Sequence, residues 1–415
     1  MQFSRFGEKF TARTGILELM DDLGTAMAGD EDFYMLGGGN PAHIPEINAI
    51  WRRRMQEILA DHQEYEDMLV NYDKPQGKTA FLEALAELLH NQYGWPIAAK
   101  NIAITNGSQT SSFILLNLFS GTTASGKKQK VLFPLMPEYI GYADQAIEEE
   151  SFLSFPSSID VIDDFHYKYR VNFDELTVGD EVGAICASRP TNPTGNVLTN
   201  DEVQKLSALA AEHGVPLIID NAYGTPFPNI IFEDAEPMWN KNIILSMSLS
   251  KIGLPSVRTG IIIADESIIN ALSSVNAIIS LANVSIGQVL TMPIIRSKEI
   301  LSISRDIVMP FYRRKSQQIQ QWIREAFGDG IDYRVHKSEG SIFLWVWFRD
   351  LPITSKELYE RFKKRRVLVV PGNYFFFGLG QQWKHQDECI RINYSQDEKE
   401  VQAAVEIMAD ELAKL

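Results

Sequence analysis

The stretch NIILSMSLSKIGLPSVRTGIIIAD, residues 242–265, holds two apolar runs of strand length joined by a loop that carries Ser248, Ser250, Lys251 and Arg258. A run without polar alternation is buried on both faces, the condition of a parallel sheet with helices packed on either side. The same pattern recurs upstream in KVLFP (130–134), VGAICAS (182–188) and VPLIID (215–220). Between the runs lie the helical stretches TSSFILLNLF (110–119) and DEVQKLSALAAEH (201–213). In the second, Val203, Leu206 and Leu209 or Ala210 fall on one helical face, with Asn200 as the expected cap. Strand and helix alternating over residues 100–265 predict an α/β fold with a mostly parallel sheet covered by helices.

Beyond residue 265 the pattern changes. Residues 297–327 predict a long helical region with a kink at Pro310. GSIFLWVWF (340–348), RVLVVPG (366–372) and ECIRINY (388–394) predict a small sheet, closed by an amphipathic helix within 398–415. The expected division is a large α/β domain over residues 46–300 and a smaller α+β domain built from residues 1–45 and 301–415.

Composition narrows the function. The 415 residues, 45% hydrophobic and 22% charged, suffice to bury a sizeable core. A net charge of −15, from 54 acidic against 39 basic residues, argues against nucleic acid or an anionic membrane as partner. A local basic pocket for a small anion stays compatible with it. Cys186 and Cys389 form no C-x-x-C motif and predict free thiols in a reducing cytoplasm. MQFSRFGEKFTARTG has no apolar signal-peptide core, and no apolar run reaches the about 18 residues of a membrane span. The seven histidines are scattered without metal-ligand spacing, so no metal is expected.

The central runs end in polar residues. Ligands of parallel α/β sheets bind outside the carboxyl ends of the strands. Ser188 with RPTNPTG (189–195), Asp220 with Asn221 and Tyr223, and Ser248, Ser250 and Lys251 are therefore expected to meet. Desolvation at the end of a buried run disfavours an ammonium and frees the Lys251 amine as a nucleophile. An amine suits a carbonyl, giving a Schiff base, and pyridoxal phosphate is the cofactor that makes such a lysine useful. Asp220 is the candidate to hold a proton on its ring nitrogen. Its phosphate needs donors, which Ser248, Ser250 and Arg258 supply. ITNGSQTSS (104–112) adds a cradle, where Gly107 admits the backbone and Ser108 and Gln109 open a helix with free N–H groups.

With RPTNPTG, DNAY (220–223), SLSK (248–251), Arg258 and RINY (391–394) in this order, the chain resembles the fold-type I pyridoxal-phosphate aminotransferases over essentially its whole length. FGEKFTARTGILELMDDLG (6–24) and LGGGNPAHIPE (36–46) look most like bacterial members that pass the amino group of valine, or a similar apolar amino acid, to pyruvate. The resemblance implies that Lys251 forms the Schiff base and then acts as general acid and base. It implies Asp220 at the pyridine nitrogen, Asn192 and Tyr223 at the ring's phenolic oxygen, and Tyr139, in MPEYIGY, on the ring face. It assigns Ser108, Gln109, Ser248, Ser250 and Arg258 to the phosphate. Tyr72, in NYDKPQG, would reach a phosphate across a homodimer interface. Arg391 would grip the substrate α-carboxylate bidentately, beside Asn192, with Gly38 and Gly39 letting the N-terminal segment come close.

Seven residues separate Lys251 from Arg258, and Ser256 stands where many relatives carry glycine. A positive φ at that serine would be strained. VPGNYFFFG (370–378) and GSIFLW (340–345) offer Tyr374, Phe375, Phe376, Phe377 and Phe343 as walls for the substrate side chain. Three other readings stay open. One is an aminotransferase for alanine, aromatic or other branched substrates; another is a β-elimination lyase using the same lysine. The third is a regulator that fuses this fold to a DNA-binding domain, against which the lack of a basic extension before FGEKF counts.

Overall fold

The computed structural model describes residues 2–12, 14–28, 32–330 and 332–415. Residues 1, 13 and 29–31 of the expected N-terminal segment, and residue 331, lie outside them. The larger sheet has eight strands: β1 Ile102–Thr105, β2 Gly121–Thr122, β3 Lys128–Met136, β4 Phe152–Pro156, β5 Val182–Ser188, β6 Leu217–Asp220, β7 Ile243–Ser248 and β8 Gly260–Ile263. Their order is β1-β8-β7-β6-β5-β3-β2, with β4 also paired to β3. β3, β4, β5, β6 and β7 run parallel. β8 is antiparallel to both β7 and β1.

Side chains alternate across this sheet, as a period of two requires. Val131, Phe133, Ala184, Cys186, Ile218, Ile244 and Ile262 pack into one core with Ile114, Leu115 and Leu116 of the helix Ser108–Phe119. Leu132, Ile185, Ala187, Leu217, Ile219, Ile243, Leu245, Ile261 and Ile263 belong to the core on the opposite face. Each such Ile or Leu contributes about 1.5–3 kcal/mol by leaving water. Two cores on one sheet explain why the central runs are apolar at every position.

The second sheet has six strands, in the order 370–371, 389–393, 343–348, 333–336, 166–170 and 158–161. Two of them, Ser158–Val161 and His166–Arg170, come from inside the 46–300 segment and hydrogen-bond into the C-terminal sheet. Tyr34–Met35 runs parallel to Val367–Leu368, and the glycines that follow cross the end of strand Cys389–Asn393. There Asn393 N–H donates to Leu36 O at 2.7 Å and Arg391 Nη2 donates to Gly37 O at 2.6 Å.

One local expectation changes. The helix Asn200–Glu212 is capped by Thr199, not Asn200: Thr199 Oγ1 accepts from Glu202 N–H, and the Glu202 carboxylate returns the bond in a capping box. Asn200 is drawn away, its Oδ1 accepting from Arg189 Nη2 at 2.7 Å. The helical region after residue 297 stays helical from Glu299 to Phe327, and the irregularity expected at Pro310 takes the form of a wide π turn over Ile303–Val308, where Met309 N–H reaches back to Ser304 O and the missing proline N–H is accommodated.

Candidate active site

A cleft opens at the carboxyl ends of β5, β6 and β7, bordered by Ser188, Asn192, Asp220, Tyr223, Ser248, Ser250, Lys251, Arg258 and Arg391. Lys251 sits in the tight turn Ser250–Ile252 directly after β7. Its Nζ donates to Gly39 O at 2.6 Å and lies 5.3 Å from the centre of the Tyr223 ring. Burial, with the nearby Arg391 and Arg258 charges, pushes the ammonium down to about 8, against a partial pull upward from Asp220. An amine in that range is a workable nucleophile near neutrality.

Asp220 ends β6. Its Oδ1 accepts from Ala222 N–H at 3.0 Å and its Oδ2 accepts from the Tyr142 hydroxyl. Burial raises its pKa, and the Tyr142 and Ala222 bonds and the Lys251 charge pull the other way. The Tyr223 hydroxyl is held protonated by its own burial.

At one end of the cleft, Ser108 and Gln109 open a helix of 12 residues and present its unbonded N–H groups. Ser248 Oγ and Ser250 Oγ lie 3.0 Å apart at the end of β7. Arg258 donates to Pro255 O at 3.2 Å, and no carboxylate among the described residues pairs with it. Gly107 has φ +93, and a Cβ there would stand 2.1 Å from Arg258 Nη2. Gly260 is as tight, since its Cβ would come within 2.7 Å of Ser108 N. A helix N-terminus, two hydroxyls and an uncompensated guanidinium make a receptacle for a small dianion.

At the other end Arg391 is buried on the strand Cys389–Asn393. Its Nη1 donates to Asn192 Oδ1 at 2.8 Å and its Nη2 to Gly37 O, while Nε has no partner. The guanidinium carbon lies 4.2 Å from the Phe343 ring centre and 5.2 Å from that of Phe375. Burial lowers its pKa to about 10, which still leaves it charged at neutral pH. A buried cation with no carboxylate among the described residues and a spare N–H suits a substrate carboxylate. Asn192 spends its amide oxygen on Arg391, which leaves its NH2 group for the cleft.

Some expected residues stand elsewhere. Tyr72 is 85% exposed and does not border the cleft of its own chain. Gly39 borders it, whereas Gly38 lies behind, its carbonyl accepting from Asn393 Nδ2 at 2.6 Å. Gly107 lies against Arg258. The aromatic walls are a correction: none of Phe343, Tyr374, Phe375, Phe376 or Phe377 borders the cleft. Phe343 and Phe375 form the π bed of Arg391, Phe377 packs on Phe133 and Phe152, Phe376 packs on Trp345 and Trp383, and the Tyr374 hydroxyl donates to Glu18 at 2.6 Å. The apolar wall comes from Ile16, Leu19 and Met20 on the helix Gly15–Ala28 and from Ile140. Ser256 sits in the tight turn Pro255–Val257, and the left-handed position is Arg258, at φ 44.

Two residues of MPEYIGY beyond Tyr139 were not picked out from sequence. Tyr142 holds Asp220, and Glu138 holds Ser188. Both are buried polar groups three residues or fewer from Tyr139, which is the signal the motif carries. Among the described residues no cluster of histidine, cysteine or carboxylates suits a metal, and no helix is long and apolar enough to cross a membrane.

A nucleophilic amine between a dianion receptacle, a buried carboxylate and a carboxylate clamp is arranged for carbonyl–amine chemistry on small anionic molecules. The model of the family described as aminotransferase class I and II matches residues 46–408. The chain is 49% identical over 414 residues to the valine–pyruvate aminotransferase of Escherichia coli strain K12, covering 100% of this chain and 99% of that one. Among solved structures, a putative amino-acid aminotransferase from Psychrobacter arcticum 273-4 matches at a TM-score of 0.97 and 42% identity, covering 100% of this chain and 99% of that one. The valine–pyruvate aminotransferase of Salmonella typhimurium LT2 matches at a TM-score of 0.89 and 48% identity, covering 96% and 99%.

Proposed function

The chain belongs to the class I and II aminotransferases, and from that premise we propose that it moves the amino group of valine, or a similar apolar amino acid, to pyruvate, giving 2-oxoisovalerate and alanine, with pyridoxal 5′-phosphate in the cleft. The observation that carries the choice of substrates is the 49% identity to the Escherichia coli enzyme along the whole chain.

The donor set fits the cofactor. Ser108, Gln109, Ser248, Ser250 and Arg258, with the Gly107 turn, would hold its phosphate, and the uncompensated Arg258 charge supports this. Asp220 would face its ring nitrogen, Tyr223 and the Asn192 NH2 its phenolic oxygen, Tyr139 its ring face and Lys251 its aldehyde. When bound, the cofactor draws electrons from the substrate bond that breaks at the α-carbon.

The chain's own residues do the rest. Tyr142 and the Ala222 N–H favour the ionised form of Asp220 against the upward push of its burial, the form that would stand opposite a cation. Arg391 fixes the substrate carboxylate through its free donors and thereby aims the α-hydrogen. Lys251 Nζ takes the proton from the α-carbon and holds it for return, a task suited to an amine poised near 8. Ile16, Leu19 and Met20 exclude water and favour an apolar side chain, although such walls discriminate by about 1–3 kcal/mol per methylene and no more.

We further propose a homodimer with the sites at its interface. Tyr72, at 85% exposure, lies two residues from the exposed Val70, and the segment carrying the exposed Ile278 and Leu281 is tied to the residues after Tyr72 by the bonds of Asn276 and Asn283 to Pro75 O. The adjacent Asp73 accepts from Ser285 Oγ at 2.5 Å, and Val284 N–H donates to Asn106 Oδ1 at 3.0 Å, beside the anion receptacle. A second copy covering this surface would bring its tyrosine to that receptacle. The unpaired, buried Cys186 and Cys389 fit a cytoplasmic location.

The test is to supply purified, cofactor-loaded protein with L-valine and pyruvate and to measure both products. Equal yields of alanine and 2-oxoisovalerate, with parallel double-reciprocal plots, are expected. Ammonia release without alanine would mean a lyase, and a marked preference for alanine or aromatic donors over valine would change the substrate assignment. Cofactor binding with no turnover of any amino acid would leave the regulator reading.

A further inference from the structure

Glu138 follows β3 and is 1% exposed. Its Oε1 accepts from Ser188 N–H at 2.8 Å, and its Oε2 lies 2.6 Å from Ser188 Oγ and accepts from Tyr139 N–H at 3.2 Å. Its own N–H donates to Phe375 O at 3.0 Å. One carboxyl thus ties the end of β3 to the end of β5 and touches the backbone of Tyr139, and both Ser188 and Tyr139 border the cleft. Ser188 is the register partner of Asp220 on the neighbouring strand.

The titratable groups facing Glu138 are Asp220 on β6, Cys186 on β5 and Tyr142 on the following turn. The turn Gly372–Phe375 directs Tyr374 to Glu18 instead. Among the described residues no lysine or arginine bonds the carboxyl. Burial without a counter-ion, with Asp220 nearby, raises it to about 8, despite the Ser188 and Tyr139 bonds that favour ionisation.

A neutral and an ionised carboxyl place the Ser188 hydrogen differently. When ionised, Oε2 accepts from the Ser188 hydroxyl. When neutral, Oε2–H donates to Ser188 Oγ, and the serine's hydrogen is free for another acceptor. We propose that Glu138 is a positioning residue of the reaction, which by exchanging one proton with solvent turns the Ser188 hydroxyl toward the cleft beside Asp220 or away from it. The activity arm of the test rests on the aminotransferase reading above; the spectroscopic arm does not.

Both arms use cofactor-loaded wild type and Glu138→Gln, whose amide can donate to Ser188 Oγ and accept from Ser188 N–H but cannot ionise. In wild type a protonated-carboxyl infrared band is expected at pH 7 and lost by pH 9, and the Glu138→Gln spectrum lacks it. The ratio of wild-type to Glu138→Gln kcat/KM for valine falls about tenfold between pH 7 and pH 9, the loss of the neutral form for an ionisation near 8, because the ionisations of Lys251 and of the substrate amine are common to both proteins. Should Glu138→Gln fail to fold, Ser188→Ala serves instead: it keeps the carboxyl band, and the ratio of wild-type to Ser188→Ala kcat/KM shows the same fall. A ratio to either variant that does not change between pH 7 and pH 9, or a wild type with no band assignable to Glu138 at pH 7, overturns the proposal. If no amino group reaches pyruvate, the functional reading fails while the infrared arm still decides this one.

Discussion

A lysine attacks a carbonyl only as the neutral amine, so if Lys251 has the proposed role the rate at which it captures an aldehyde follows its ionisation. With the ammonium lowered from 10.5 to about 8, about 9% of it is neutral at pH 7, against about 0.03% for an ordinary lysine. The ratio is about 300-fold, and it belongs to the site: burial comes first, then the Arg391 and Arg258 charges, with Asp220 opposing. The assay mixes cofactor-free protein with pyridoxal 5′-phosphate over a pH series and follows formation of the borohydride-reducible adduct. The rate should climb tenfold per pH unit at low pH and level off near 8. Arg391→Gln removes a like charge, so its plateau moves to higher pH. Asp220→Asn removes the opposing charge, so its plateau moves to lower pH. A wild-type rate still climbing tenfold per unit through pH 10 would mean an ordinary solvated lysine and would refute the reasoning.

Three other substitutions test the rest of the site. Arg391→Lys keeps the charge but gives up the planar fork to Asn192 and Gly37; with charged hydrogen bonds worth about 1.5–3 kcal/mol each, kcat/KM for amino and oxo acid should fall about 10–100-fold while cofactor absorbance is unchanged. Gly107→Ala drives a methyl into Arg258 Nη2 at a φ of +93, so equilibrium titration should find pyridoxal 5′-phosphate bound about 5–150-fold more weakly, the equivalent of some 1–3 kcal/mol of local strain. Tyr142→Phe removes a bond that favours ionised Asp220, so the Asp220 pKa rises further and cofactor affinity should drop by a factor of about 5–30, read by the same titration.

The strands and the residues at their ends were legible because burial on two faces leaves a continuous apolar run, and a polar residue closing such a run has to face something. The direction of β8 was not legible: Ile261, Ile262 and Ile263 are buried whichever way the strand runs. The cap at Thr199 was written in the sequence, with Glu202 three residues on, but the adjacent Asn200 is an equally good cap former, and only Arg189 shows which of the two is occupied elsewhere. Phe343 and Phe375 illustrate a different limit. An aromatic side chain under a cation and one lining a pocket have the same sequence signature, and three-dimensional packing put both beneath Arg391. The wall that does border the cleft arrives from Ile16, Leu19 and Met20, more than two hundred residues from Lys251, where no local pattern connects them. Glu138 was quoted inside its motif yet reads there as an ordinary turn acid, since burial without a counter-ion is invisible until neighbouring strands are placed.

The identity of the reactive amine is open to direct measurement. Cofactor-loaded protein is reduced with borohydride, digested, and its peptides mapped by mass spectrometry. The expected result is one phosphopyridoxyl group per chain, on the peptide that holds Lys251, and none on that peptide in Lys251→Ala. Stoichiometric labelling of another lysine, or equal labelling of the Lys251→Ala protein, would contradict the account.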